Sequence, residues 1–211
     1  MTRDLASAVR RSGAQAAAAV VIAAVLVASC GTASPARRAT EYLDDSTSAT
    51  ITRVDQPFLF FSDDPARAAN ARDYLNAAPL AVNQAGKRSW WLWLGLWSTI
   101  DRGITVGDAR LGDIQGVQLI IDGEPMDLDM GGRVERIPGV TRPPYEAPVP
   151  TARNLVVPLT GSQVARLSRG TSVVLRTEMT SGPALLWQPW TGSGNWTDFA
   201  ELVAAESASP R

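Results

Sequence analysis

Residues 89–100 read Ser-Trp-Trp-Leu-Trp-Leu-Gly-Leu-Trp-Ser-Thr-Ile. Side chains alternate across a strand, so Trp91, Trp93, Gly95 and Trp97 share one face while Trp90, Leu92, Leu94 and Leu96 share the other. Both faces are apolar, which predicts a central strand covered on both sides. Upstream, Asn83-Gln84-Ala85-Gly86-Lys87 is a turn in which glycine can take positive φ. Residues 72–83, which run into Leu80-Ala81-Val82, supply an extended partner, and the two segments together predict a hairpin.

Outward from that hairpin the pattern stays extended. Thr50–Val54 alternates, and Phe58-Leu59-Phe60-Phe61 is a second, more buried run. Asp64-Pro65 starts a short helical turn, with aspartate as cap and proline in the first turn. Val117–Ile121 is a strand that Asp122-Gly123 turns back into Met126–Met130. Residues 131–152 hold Gly131 and Gly132 with five prolines and predict a long irregular loop. Leu155–Leu159, Thr171–Met179 and Pro183–Trp190 are further strands. Ser162–Ser168 is a short helix stopped by Gly170, and Asn195–Ala205 is a final helix. Eight or nine strands with two or three short helices, connected mostly as hairpins, predict an antiparallel β-sandwich or open barrel.

The N-terminus has a different character. Arg3, Arg10 and Arg11 precede an apolar run from Ala14 to Ala28, too short for a bilayer span of about 20 residues. Val27-Ala28-Ser29-Cys30 follows, and it resembles the bacterial lipobox. The resemblance covers residues 1–31 and implies a bacterial lipoprotein. By that resemblance Cys30 takes a diacylglyceryl group, the peptide is cut before it, and the new amine is acylated. Several acyl chains give stable anchoring where one gives marginal binding. No aspartate follows Cys30, because Gly31 stands there. That implies the outer membrane in a Gram-negative source; in a Gram-positive or actinobacterial one the anchor is the plasma membrane. The predicted organisation is a signal peptide (1–29), a lipidated N-terminus and flexible tether (30–49), a β-rich domain (50–205) and a loose tail (206–211).

Composition excludes several chemistries. The chain has one cysteine and no histidine, so an internal disulfide, a Cys/His zinc site and a histidine-based catalytic triad are out of reach. Residues 1–29 hold three arginines against one aspartate, so the remainder carries a formal charge of −3 against −1 for the whole chain. A nucleic-acid partner would call for a basic stripe, and none is present. No cofactor, metal or nucleophile motif stands out. The aspartates of Asp63-Asp64, Asp122 with Glu124, and Asp127 with Asp129 read as turn acids, with a carboxylate-pair envelope hydrolase as the alternative.

The tryptophans carry the remaining expectation. There are seven of them, four within residues 90–97, and Trp187, Trp190 and Trp196 come later. Such a cluster fills a β core or forms a binding surface, and both readings stay open. For the second, Trp91, Trp93 and Trp97 are the surface, and the partner is an envelope protein or a glycan. The function expected is that of a lipid-anchored envelope binding or scaffolding module.

Overall fold

The computed structural model describes residues 39–62, 72–99, 114–180 and 183–190. The expected hairpin is its centre. Strands β4 (Asp73–Gln84) and β5 (Lys87–Ser98) pair along their whole length. Their link, Ala85-Gly86, has φ of 49° and 81°, the twist that a two-residue hairpin needs. Strand β8 (Arg153–Leu159) pairs the far edge of β5, so the strand with two apolar faces is central, as those faces require.

The long β4 is shared on its other edge. Strand β2 (Ala49–Val54) takes residues 80–84 of it and β3 (Phe58–Ser62) takes residues 73–77. Strand β10 (Leu185–Pro189) pairs β3 through its last two residues and β9 (Val173–Met179) through its first three. Strands β6 (Ile114–Ile121) and β7 (Glu124–Asp127) follow, joined by Asp122-Gly123 at φ of 52° and 86°. With β1 (Ala39–Asp44) beside β2, the described residues form one antiparallel ten-stranded sheet that is not closed.

Strand β1 corrects the expected tether. Residues 30–49 read as structureless, yet Ala39–Asp44 pair residue for residue with β2. An edge strand needs only one bonded side, so it can be mostly polar and exposed, and periodicity does not reveal it. Its last residue is the exception, because Asp44 is buried. The helical turn expected after Asp64, the helix expected over 195–205, the apolar leader and Cys30 lie outside the described residues.

One α-helix is described, α1 (Gly161–Leu167). Thr160 and Gln163 form a reciprocal capping box at its start, with bonds of 3.2 Å and 2.8 Å. Arg166 donates to the Glu124 and Pro125 carbonyls, and Gln163 Nε2 donates to the Asp127 carbonyl at 3.0 Å. The helix thereby occupies backbone acceptors along β7 that would otherwise face water.

One buried cluster takes in Phe58, Leu75, Leu92 and Leu94 together with Leu119, Leu175 and Trp187. Burying side chains of this size contributes roughly 1.5–3 kcal/mol each. The opposite face of β5, carrying the tryptophans, is covered in its middle by the proline-rich loop. Tyr145 lies 4.9 Å from Trp93, ring centre to ring centre, and its hydroxyl donates to the Val54 carbonyl at 2.8 Å. Burial pushes the Tyr145 phenol well above its ordinary range, only partly offset by Arg53. The Arg53 guanidinium lies over both the Tyr42 and Tyr145 rings. Asp44 fixes the loop from the other side, accepting from Thr141 N at 2.7 Å and Thr141 Oγ1 at 2.8 Å.

Candidate functional site

The strand register decides which tryptophans face a partner. Trp93 is 1% exposed and belongs to the core, shut in by the loop. Its indole folds across Gly95, where an added Cβ would stand 2.6 Å from the ring. Trp91 is half-buried, and its Nε1 donates to Ser89 Oγ at 2.9 Å. Trp97 is half-buried at the opposite end of the strand. The expected surface of Trp91, Trp93 and Trp97 is therefore interrupted: the covering loop buries its middle member and separates the other two.

Beyond the loop, the same face ends in an aromatic ledge. Cross-strand pairing places Phe61 of β3 opposite Tyr74 of β4, and Tyr74 opposite Trp97 of β5. Tyr74 and Trp97 stack at 4.5 Å and 18°. The Trp97 Nε1 donates to Asn76 Oδ1 at 3.3 Å, which fixes the ring's direction. Trp190 follows β10, and its backbone N donates to the Leu59 carbonyl at 2.9 Å. Its ring meets Phe61 and Tyr74 edge-on at 5.4 Å and 5.5 Å, favourable aromatic geometries, yet it remains 41% exposed. The Arg72 guanidinium lies over both Phe61 and Trp190.

At the Trp93 end a cavity of about 300 Å³ opens between loop and sheet. Trp93, Val156 and Asn154 line it from the strands, and Glu135, Arg136 and Arg142 from the loop. Asn154 Oδ1 has no hydrogen-bond partner among the described residues. Asn154 and Asn76 both pair across from Gly95, so the two amides lie between the cavity and the ledge.

Asp122, Asp127 and Asp129 make structural hydrogen bonds. Asp122 accepts from Thr171 Oγ1 at 2.7 Å and from the backbone of Thr171 and Ser172, which holds its carboxyl below the ordinary value of 3.8. Asp129 caps the 3-10 turn Met130–Gly132, and Asp127 accepts from Gln118. A general acid needs its pKa raised, the opposite direction from Asp122. Asp63 and Asp64 lie outside the described residues. Among the described residues no three metal-binding side chains gather, and no helix is long and apolar enough to cross a membrane.

Phe61, Tyr74, Trp190 and Arg72 come from three separated segments, so sequence reading singles out only Trp190. The signal that could have found the others is register: counting back from the Ala85-Gly86 turn puts Tyr74 opposite Trp97. The chain matches no protein-family model, no curated protein and no solved structure.

Proposed function

We propose that this chain is a lipid-anchored cell-envelope protein whose β domain binds another envelope component through the tryptophan face of β3, β4 and β5. One observation carries the binding half. Trp190, a large aromatic, stays 41% exposed on an ordered row of rings while the core is filled without it. Exposed aromatics held rigidly beside an arginine are the residue types that dominate binding surfaces. The anchoring half rests on Val27-Ala28-Ser29-Cys30 behind a short apolar run.

The sheet's arrangement as an open barrel or sandwich belongs to the same reading. It is supported by one buried cluster drawing on both ends of the sheet. It is supported also by the link after β7, where Leu128 bonds to Val117 of β6 and Val134 bridges to Val156 of β8.

Reversible crosslinking of the native anchored protein, followed by capture and mass spectrometry, tests the function. A specific envelope component is expected with the wild type and is expected to be lost with Trp190→Ala. Equal recovery with both proteins would remove the ledge from the binding surface.

A further inference from the structure

We propose that the tryptophan face takes an acidic glycan, with sugar rings on Trp97 and Trp190 and a carboxylate at Arg136 and Arg142. The inference rests on the binding reading above and adds the chemistry of the occupant.

Four observations favour a glycan. First, β5 is paired on both edges, to β4 throughout and to β8 over Trp90–Leu96. It has no free edge there for an added peptide strand, so the face recognises through side chains alone. Second, the rings are fixed in advance: Trp97 is stacked on Tyr74 and bonded to Asn76, and Trp190 is wedged against Phe61 and Tyr74. Fixed aromatic faces suit the flat C–H face of a pyranose and lose little entropy on binding. Third, the amides of Asn76 and Asn154, both paired across from Gly95, stand between the two ends, and primary amides are the polar groups that hydrogen-bond sugar hydroxyls. Fourth, the cavity end has two arginines against the single acid Glu135. Guanidinium groups match a carboxylate in shape and charge.

Length agrees. Trp93 and Trp97 are four residues apart on one strand, a span of roughly 14 Å, that of a short oligosaccharide. Trp190 extends the ledge toward β3.

The test uses the full-length protein in detergent micelles and two probes of equal length, a tetragalacturonate and the neutral cellotetraose, titrated by calorimetry. The acidic probe is expected to bind about tenfold tighter than the neutral one, and Trp190→Ala to weaken both by about tenfold. The double variant Arg136→Gln/Arg142→Gln is expected to remove the preference for acid, so that the acidic probe binds no tighter than the neutral one. Unfolding midpoints equal to wild type establish that the variants are folded. Equal binding of the two probes would overturn the acidic assignment. Binding of neither probe, with Trp190→Ala still abolishing capture of a crosslinked protein, would overturn the glycan and leave the face as a protein-binding surface. Indifference to Trp190→Ala in both assays would overturn the face itself.

Discussion

Gly95 decides how the tryptophan face is packed. Its missing Cβ leaves the space across which the Trp93 indole lies, with Tyr145 against that indole. A methyl group there would contact rigid ring atoms that have nowhere to go. Gly95→Ala is expected to cost about 1–3 kcal/mol, as overpacking does. It should also alter the near-ultraviolet circular dichroism of the buried aromatic pair; an unchanged denaturant midpoint would refute the account. At this scale the sequence is legible only in part. Alternation assigns Trp91, Trp93 and Trp97 to one face correctly, because period two is a local property. Which of them is exposed depends on a loop whose Tyr145 lies 52 residues downstream of Trp93, and no local pattern encodes that.

The hairpin of β4 and β5 is the element most legible in the sequence. Its run is long, both faces are apolar, and Ala85-Gly86 sits where the turn must be. Strand β1 is hidden for the opposite reason, having one bonded edge and only one buried side chain. Composition identifies the loop after β7 as irregular but does not place it over the sheet. That placement depends on Asp44, whose bonds to Thr141 join the end of β1 to the loop. Hydrogen bonds from the Thr141 backbone and side chain hold the Asp44 carboxyl below its ordinary value of 3.8. A depressed folded pKa stabilises fully above the unfolded value, and the contribution disappears as pH falls through the folded one. Wild type is therefore expected to be more stable than Asp44→Asn at pH 6, with the difference shrinking below about pH 4. Guanidinium unfolding of both proteins across that range measures it, and a gap independent of pH would show that the carboxylate charge is not what holds the loop.

For the whole molecule, antiparallel β architecture follows from short strands and tight turns, which sequence displays well. The ledge does not, because it assembles Phe61, Tyr74, Trp97 and Trp190 through pairings between distant strands. The proposed anchor has its own test. Cys30→Ser is expected to block incorporation of labelled palmitate and leave an unprocessed precursor; normal processing with membrane retention would refute lipidation. With lipid on Cys30, strand β1 has a geometric consequence. Nine residue steps separate Cys30 from Ala39, at most about 32 Å, whereas the twenty steps to Thr50 would allow about 72 Å. The largest volume open to an anchored domain grows as the cube of the chain length between anchor and domain, so early pairing of β1 lowers that upper bound roughly tenfold. On the proposed anchoring the domain stays in the layer next to that membrane, and the proposed ligand is to be sought there.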